Sequence, residues 1–579
     1  MRLKLAFSMM FVIGMLFSTQ LISSQQVNSA SPQQASGASL QQVNSASLQQ
    51  VNNSSSQQVK GASIQQANSI TDTWKTVAPG IDYQEFYLPG PNHAYVARMD
   101  RANQSVTLDS SIAQGRLAWG RETVSDMAKR YDESINYWGE QWGNRSHVVI
   151  AINGSYYSET TLMPLGGMVN SGWYAKRFDT GNSGFAWTFN RDAFIGRCLL
   201  HNPAKQIVVF PDGYKQAING INVDRTADAP VVLYTPQYNA YTRTDGIGGD
   251  ILIELSRPAM IISASHPVTG TVIANYNPVT NTYIPFDHVV LSARNPAWDV
   301  LQSHAHAGDI VKISQEPTPL DFDCQTPYTT NIKWTETYAS IQGNEEFLLD
   351  GQIRPFTNPG SLNRNPRTAI AFNDQYIYFI VVDGRNSLSA GMTIEELAHF
   401  TKDVLGATNG INQDGGGSST MWVNGQVMNK PSDCKFKFSF VPSVNAAPSL
   451  GNVSAGSVQP TPTPQVIEYP CERPVLNGMM MVMVEPRESS SYLGAGNSVL
   501  TVSAANVRLG PGTNYPAFTS VKGGVAGTIV DHPLNGVLAK GENWWKVDFG
   551  NGITGWVAES LLASQLTNAS YHPFEFGVH

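Results

Sequence analysis

Short runs of apolar residues recur along most of the chain, and their lengths are typical of β-strands. Tyr95–Met99 alternates apolar and other side chains, while His147–Ile152 is a nearly continuous apolar run of the kind found in a buried strand. Between about residues 166 and 313, runs such as Gln206–Phe210 and Asp250–Glu254 are separated by Gly, Pro and Asn. Short connections of this kind predict a β-rich chain whose strands are mostly antiparallel.

Helical patterns are few. Thr123–Tyr131 has helical spacing, and a second helix is predicted to begin at Thr393, where Glu396 completes a capping box. Apolar residues follow on one face of this helix, and Gly406 fits the position just past its end.

The second helix lies between two predicted strands, Tyr376–Val382 and Ala407–Asn412. A strand–helix–strand crossover makes its two strands parallel, so their carboxyl ends share one edge of a sheet. We therefore expect Asp383 and Asp414, which follow the two strands, at the same edge, where ligands commonly bind. An antiparallel return would contradict this arrangement.

A carboxylate, three glycines and three hydroxyl residues follow the second strand: Asp414, Gly415, Gly416, Gly417, Ser418, Ser419 and Thr420. The glycines allow a sharp turn and close approach of the backbone to a ligand, and the hydroxyls suit phosphate or sugar oxygens. A β-hairpin is predicted next, with a type I′ turn at Asn424-Gly425. On the glycines alone, a surface turn explains the stretch equally well.

Length and charge narrow the class of protein. The chain has 579 residues, is 41% hydrophobic and only 14% charged, and carries a net charge of -8. It has no cluster of Lys and Arg, which argues against nucleic acid as a partner. Arg2 and Lys4 precede the apolar run Leu5–Phe17, which predicts a signal peptide over residues 1–24 and an exported protein, although an uncleaved anchor stays open. No other segment predicts a membrane span.

Residues 25–71 repeat Gln-Gln pairs every eight residues without an aromatic side chain, which predicts a disordered spacer. The cysteines are Cys198, Cys324, Cys434 and Cys471, and their spacing does not fit a zinc site. We expect a Cys434–Cys471 disulfide at the base of a Pro-rich insertion over about residues 442–468, which leaves Cys198–Cys324 as a second bridge. No metal and no cofactor is predicted.

After a linker at 487–498, residues 499–564 form a compact module that precedes a short tail, 565–579. The segments Asn506–Gly512, Trp544–Val547 and Gly555–Val557 resemble the bacterial Src-homology-3-like domain. The resemblance implies a small all-β barrel that binds a cell-wall polymer. We expect its tryptophans to lie in the core.

Residues 72–486 resemble the phosphodiester glycosidase family. Eight pieces match the family in its order: Val77–Tyr83, Ala151–Tyr157, Asn365–Thr368, Val382–Arg385, Gly391–Leu397, Asn412–Thr420, Asn429–Asp433 and Arg473–Asn477. The chain departs from the family in the Pro-rich insertion and in Tyr157, where the family often has Phe. The resemblance implies an α+β fold, a mixed β-rich catalytic domain with few helices, followed by the small all-β barrel.

The resemblance also implies a hydrolase that cleaves the C1–O bond of an N-acetylglucosamine-like glycosyl 1-phosphodiester in a cell-wall or extracellular glycopolymer. Asp414 is the expected catalytic carboxylate, with Asp383 second. The remaining candidates bind substrate: Arg367, Arg385 and Arg473 the phosphate, and Asn153, Ser418, Ser419 and Thr420 the phosphate or sugar oxygens. We expect one of the three arginines to form only a structural ion pair.

Two alternatives stay open. A carbohydrate-binding wall protein without catalysis would use the same groups, although the presence of both aspartates argues against it. A phosphodiesterase that cuts the P–O bond would gather metal ligands. The close pair His304 and His306 lies far along the chain from the matched pieces.

Overall fold

The computed structural model of the protein describes residues 73–132, 145–178, 183–197, 199–256, 265–277, 281–320, 334–356, 358–433, 472–484 and 488–565. All of them belong to one compact unit, residues 64–579. The predicted signal peptide, the octad repeats, the Pro-rich insertion, both predicted disulfides and the tail after residue 565 lie outside the described residues.

Strands dominate the described chain. The first nineteen are β1 (Lys75–Ala78), β2 (Ile81–Leu88), β3 (Asn92–Asp100), β4 (Val106–Ile112), β5 (Arg145–Asn153), β6 (Met168–Asn170), β7 (Trp173–Lys176), β8 (Gly184–Thr188), β9 (Ala193–Gly196), β10 (Leu199–Leu200), β11 (Gln206–Val209), β12 (Lys215–Ala217), β13 (Gly220–Ile221), β14 (Val231–Tyr234), β15 (Gly249–Leu255), β16 (Val268–Tyr276), β17 (His288–Ala293), β18 (Ile310–Gln315) and β19 (Thr318–Pro319). The rest are β20 (Thr337–Gln342), β21 (Glu346–Leu349), β22 (Gln352–Ile353), β23 (Arg367–Phe372), β24 (Tyr376–Val382), β25 (Asn409–Asn412), β26 (Met421–Val423), β27 (Gln426–Val427), β28 (Asn477–Val484), β29 (Ser498–Thr501), β30 (Ala505–Arg508), β31 (Ala517–Val521), β32 (Ala526–Ile529), β33 (Val537–Ala539), β34 (Glu542–Asp548), β35 (Thr554–Ala558) and β36 (Leu562–Ser564).

Helices are short. The α-helices among the described residues are α1 (Val124–Asp132), α2 (Ala297–Leu301), α3 (Pro359–Leu362) and α4 (Ile394–His399), and α4 continues as a π-helix over Phe400–Val404. The predicted capping box is present, because the Thr393 hydroxyl accepts from the Glu396 N–H and the Glu396 carboxylate accepts from the Thr393 N–H. None of the helices in the described part of the chain is long and apolar enough to cross a membrane. The β-rich α+β prediction is confirmed.

Sheet 1 contains the predicted crossover. Its strand order is β1-β2-β3-β24-β23-β25-β21-β22, and every neighbouring pair is antiparallel. Since β24 and β25 are both antiparallel to β23, they run in the same direction, as predicted, but β23 separates them. Asp383 and Asp414 therefore follow strands that end at the same edge of sheet 1.

Three larger sheets and the two-stranded sheet β10-β19 complete the larger part of the fold. Sheet 2 has the order β27-β26-β5-β28-β4, sheet 3 the order β7-β6-β20-β8-β9, and sheet 4 the order β12-β11-β18-β16-β15-β17-β14-β13. Sheet 4 is antiparallel except for the parallel pair β13–β14.

Two layers of core cover sheet 1. One face packs against sheets 2 and 3 through buried side chains such as Phe379, Ile152 and Phe185. The opposite face packs against α4 and its π-helical continuation, where Leu397 and Phe400 are buried. Because both faces are covered, ligands reach sheet 1 only at its edges and strand ends.

The C-terminal strands β29–β36 form the small barrel. Trp544, Trp545 and Trp556 are all buried, which confirms that they are core residues. Phe286, just before β17, packs its ring 5.6 Å from that of Trp556. The barrel is therefore seated on sheet 4 through an aromatic contact.

Candidate active site

The candidate site lies where sheets 1 and 2 meet. The Asp414 N–H donates to the Gly154 carbonyl oxygen at 3.0 Å, which joins the end of β25 to the end of β5. Asn153 reinforces this junction, because its Nδ2 donates to the Asp414 carbonyl oxygen at 2.7 Å. Its Oδ1 accepts from the Thr368 hydroxyl at 2.8 Å and from the Thr420 N–H at 3.1 Å. Asn153 is buried, and its contacts with Asp414 and Thr420 hold the two ends of the glycine-rich segment, while Thr368 orients its side chain.

The glycines are needed for this turn. Gly416 has φ +63°, in the left-handed region that favours glycine. A Cβ at Gly417 would overlap the carboxyl group of Asp433. The segment can therefore pass beneath Asp433 only without a side chain at 417.

The Asp414 carboxyl lies in a partly desolvated, polar position. Burial raises its pKa to about 6, against the opposing effects of the nearby Ser418 hydroxyl and the Arg473 guanidinium. The charge of Asp414 also acts on the two tyrosines that follow Ser155. Burial and then Asp414 raise the pKa of Tyr156, and Asp414 contributes to the raised pKa of Tyr157. Asp414 is therefore a carboxylate at neutral pH that can still accept a proton.

Arg473 forms an ion pair with Asp433. Its Nε donates to Asp433 Oδ2 at 2.7 Å, and its Nη2 contacts the same oxygen. The pair alone does not make Arg473 the purely structural arginine expected among the three, and that expectation stays a prediction. Arg473 also acts on Asp414, because its charge lowers the pKa of that carboxyl.

Arg367 and Arg385 have different surroundings. Arg367 is buried and donates to three backbone carbonyl oxygens, those of Met392, Gly360 and Asn363. Arg385 is exposed, and its contacts are the Asn365 amide oxygen at 3.1 Å and the Ser432 hydroxyl at 3.5 Å. Arg385 has no carboxylate within ion-pair distance among the described residues, so it keeps donors for an anion.

Asp383 is buried and bonded to protein. Its Oδ1 accepts from Asn429 Nδ2 at 3.2 Å and from the Lys430 N–H at 3.0 Å, and its Oδ2 accepts from the Tyr95 hydroxyl at 3.1 Å. Burial raises its pKa. These contacts connect the end of β24 to the segment after the hairpin.

The hydroxyl residues lie inside the fold. Ser418, Ser419 and Thr420 are all buried, and the Ser418 hydroxyl is next to the Asp414 carboxyl. The hydroxyl oxygens of Ser419 and Thr420, and the side-chain amide of the buried Gln413, have no hydrogen-bond partner in the part of the chain that the structure describes. Buried polar atoms without partners are costly, so these groups are available to ligand oxygens or water.

A pocket of about 200 Å³ opens beside Tyr156 and is also lined by Ser155, Leu165, Gln342 and Asn344. The Tyr156 hydroxyl accepts from Asn412 Nδ2 at 3.4 Å. Because Tyr156 interacts electrostatically with both Asp414 and Arg367, the pocket borders the candidate site.

Sequence reasoning did not assign roles to Tyr156, Asp433 or Asn429, although all three lie within matched pieces. The sequence around these three residues does not indicate that their side chains contact the site. The described residues contain no group of three His, Cys, Asp or Glu placed to hold a metal ion. His304 instead contacts Asp212 at 2.5 Å.

Comparison with known protein families defines the class. Residues 264–444 match the model of the phosphodiester glycosidase family, and residues 503–563 match that of the bacterial SH3 domain. These two matches confirm the resemblance seen in the sequence, to a phosphodiester glycosidase domain over residues 264–444 and to a bacterial SH3 domain over residues 503–563. Asp383 and Asp414 lie inside the first match, whereas Asn153 and Arg473 lie outside it.

Solved structures with similar chains include a hypothetical protein from Synechocystis, with 15% identity and a TM-score of 0.45 over 72% of this chain and 64% of that one. A putative exported protein from Burkholderia pseudomallei has 18% identity and a TM-score of 0.42 over 68% and 74%. The zebrafish N-acetylglucosamine-1-phosphodiester alpha-N-acetylglucosaminidase catalytic domain, auto-inhibited by its pro-peptide, has 14% identity and a TM-score of 0.32 over 72% and 87%. The chain thus spans less than two thirds of the Synechocystis protein. No curated protein shows a significant match.

Proposed function

We propose that the protein hydrolyses glycosyl 1-phosphodiesters at the sugar C1–O bond. The observation that carries this proposal is the Asp414 carboxyl, which has a pKa of about 6 and lies beside Arg473 in a glycine-rich turn within the family match. A carboxyl with this pKa is ionised at neutral pH and basic enough to take a proton from water.

In the proposed reaction, the oxygen of a water molecule forms a bond to C1 as the bond from C1 to the phosphodiester oxygen breaks. Asp414 accepts the proton from the water, and the departing oxygen keeps the bonding electron pair. The products are the free sugar and a phosphomonoester. A phosphate is a good leaving group, so the site needs no strong general acid.

The departing phosphate carries negative charge, which a cationic side chain with unused N–H donors would stabilise. Arg385 is exposed and carries no ion pair within the described chain, so we assign it to the phosphate. Arg473 is tied to Asp433 and tunes Asp414 through its charge. Arg367 and Asn153 bond backbone and side-chain groups around the turn, and we assign them to positioning. Ser418, Ser419 and Thr420 supply polar groups to sugar or phosphate oxygens.

The sugar is proposed to be N-acetylglucosamine-like, and the substrate a cell-wall or extracellular glycopolymer. The bacterial SH3 domain supports this proposal, as does the predicted signal peptide. The protein is then exported and held at the wall through its C-terminal domain.

The test is to incubate the protein with an α-N-acetylglucosamine 1-phosphodiester in water enriched in oxygen-18. Cleavage at C1–O places the label in the free sugar and leaves the phosphomonoester unlabelled. Label in the phosphate would show P–O cleavage and contradict the proposal. Binding without turnover of this or other glycosyl 1-phosphodiesters would favour the carbohydrate-binding alternative.

A further inference from the structure

A second cavity lies away from the glycine-rich turn, between the small barrel and the larger part of the fold. Its volume is about 290 Å³, near the lower end of the range for ligand pockets. The barrel contributes Asn514 and Tyr515 to its lining, and the opposite wall includes Arg116, Gln237 and Trp173.

The lining of this cavity mixes polar and apolar side chains and includes one arginine without a carboxylate partner among the described residues. Two arginines, Arg116 and Arg130, line it, and no aspartate or glutamate does. Arg130 is paired with Glu122, whereas Arg116 is exposed and contacts only the Gln114 amide oxygen among the described residues. The amide oxygens Gln237 Oε1 and Asn514 Oδ1 are buried without a protein partner in the described part of the chain. In a chain with a net charge of -8, this wall suits an anion that also carries hydroxyl or N–H donors.

Four aromatic side chains outside the cavity form a group that we call the aromatic row: Trp119 and Tyr283 are exposed, and Tyr241 and Phe518 are half-buried. Tyr241 and Tyr283 are adjacent in sequence to Ala240 and Ile284, which line the cavity. Trp119 is 54% exposed and Tyr283 is 46% exposed. The Tyr283 ring lies 6.4 Å from that of Tyr241 and 5.8 Å from that of Phe518. Arg243 lies 3.8 Å over the Trp119 ring and has no carboxylate partner among the described residues. The exposed Trp119 ring and the Arg243 guanidinium over it present an apolar face and positive charge together.

A short backbone link joins the cavity wall to the active site. Glu122, which pairs with Arg130 of the cavity, forms backbone hydrogen bonds to Val475 at 3.1 and 2.8 Å. Val475 is two residues from Arg473, and Arg121 lies 5.7 Å from the ring of Tyr157. The cavity wall is therefore connected by backbone hydrogen bonds to the segment that carries Arg473.

We propose that the cavity and the aromatic row form a second binding site for an anionic glycan, a chain of sugars or polyols joined by phosphodiesters. Sugar rings pack on the aromatic row, phosphates contact Arg116 and Arg243, and hydroxyls fill the unpaired acceptors Gln237 and Asn514. The proposed binding is argued only from the residues of this surface. The further idea that the bound polymer is also the substrate rests on the proposed function.

The test is calorimetric titration with oligomers of glycerol phosphate that carry N-acetylglucosamine, using Asp414→Asn protein so that the ligand stays intact. A neutral N-acetylglucosamine hexamer serves as the comparison ligand. We expect the combined Trp119→Ala, Arg116→Gln and Arg243→Gln variant to lose at least ten-fold in affinity for the anionic oligomer. The matched variant Tyr492→Ala, Lys215→Gln, which changes an exposed ring and an exposed cation elsewhere, should bind normally.

A second measurement uses Arg116→Glu, which reverses the charge at this exposed position and should weaken binding of the anionic oligomer more than Arg116→Gln does. Equal binding by the combined and matched variants, tighter binding of the neutral hexamer, or no binding of the anionic oligomer would each overturn the inference. Hydrolysis of the small phosphodiester by the unmodified protein is measured separately, so a failure of the proposed activity is distinguished from a failure of this site.

Discussion

The carboxyl group of Asp383 is joined to the side-chain amide of Asn429 by a hydrogen bond of 3.2 Å. Asn429 in turn donates to the Ser419 carbonyl oxygen at 2.9 Å and accepts from the Met421 N–H at 2.8 Å. Asp383 thus holds the end of the glycine-rich segment through Asn429. This arrangement favours positioning of the segment over direct chemistry as the role of Asp383.

Replacing Asp383 by Asn is expected to destabilise the fold and to lower activity indirectly. The new amide would set its donor against the Lys430 N–H, or would donate to the Tyr95 hydroxyl, whose proton must then turn away. Either way a hydrogen bond to the buried carboxylate is lost, at about 1–3 kcal/mol. Chemical denaturation measures the loss, with Tyr95→Phe as a control that keeps the carboxylate and removes the contacts of the Tyr95 hydroxyl with Asp383 and His93. Full stability combined with complete inactivity would instead indicate a chemical role for Asp383.

Replacing Asp414 by Asn should lower kcat by about a thousand-fold, as for loss of a general base, while the fold is kept. In the unchanged protein, kcat/KM should rise with pH through about 6, where Asp414 loses its proton. Loss of the Asp414 proton has opposite effects on activity and on stability: it should raise kcat/KM and lower the free energy of unfolding. The folded-state pKa is raised, so folding favours the protonated form, and this contribution is lost as pH rises through about 6.

At pH 8, the free energy of unfolding of Asp414→Asn is therefore expected to exceed that of the unchanged protein by no more than about 3 kcal/mol, so the variant should unfold at a higher temperature. At pH 4 the two proteins should differ little. Thermal denaturation at the two pH values checks this. Near-normal turnover by the variant would reject Asp414 as the catalytic carboxylate.

Arg385→Gln should raise KM for a glycosyl phosphodiester, because the variant loses the charge proposed to bind phosphate. A charge-assisted hydrogen bond contributes about 1.5–3 kcal/mol, which corresponds to a change of at least ten-fold. Arg364→Gln is the control, since Arg364 is also exposed but pairs with Glu396. Equal kinetics for the two variants would remove Arg385 from the site.

Gly417→Ala should inactivate the protein by displacing Asp433, whose carboxyl group occupies the space of the new methyl group. The displacement would separate Asp433 from Arg473 and alter the charge that acts on Asp414. Gly425→Ala in the adjacent hairpin has free space around its Cβ and only the strain of its positive φ, so it should keep activity. Steady-state kinetics of both variants provide the comparison, and an active Gly417→Ala would show that the ion pair is dispensable.

Lys546→Met should loosen the barrel from sheet 4. Lys546 Nζ lies 2.6 Å from Glu254 Oε1 and 2.8 Å from Asp287 Oδ2, and both Lys546 and Asp287 are buried. Removing one partner of a buried ion pair costs about 3–5 kcal/mol. Calorimetry should show the barrel unfolding at a lower temperature than the rest, with the exposed Lys522→Met as control. A single unchanged transition would contradict this role.

Much of the local structure around the site could be predicted from sequence because the signals are local. The capping box at Thr393 and the Asn424-Gly425 turn, with φ values of +43° and +95°, depend only on residues a few positions apart. The common edge of Asp383 and Asp414 could be predicted because a strand–helix–strand crossover makes its two strands parallel. That β23 lies between their strands could not be read from the crossover alone.

The partners of the site residues were harder to predict because they are distant in sequence. Asn153 meets Asp414, 261 positions away, and its side chain supports the turn, which motif position alone does not indicate. Arg367 looked like a phosphate ligand, yet it donates to the carbonyl oxygen of Met392, 25 positions later. A motif indicates that a residue belongs to the site, whereas only the packed fold shows which atoms remain free.

The central place of β28 in sheet 2 has a consequence for how the chain acquires its structure. This strand pairs on one side with β4 and on the other with β5, although some 320 residues or more separate it from both. Pairings of such long sequence separation form slowly, because a large loop must close before the contacts are gained. During synthesis, sheet 2 cannot be completed until residue 484 has emerged. Until then, β4 and β5 lack the strand that lies between them.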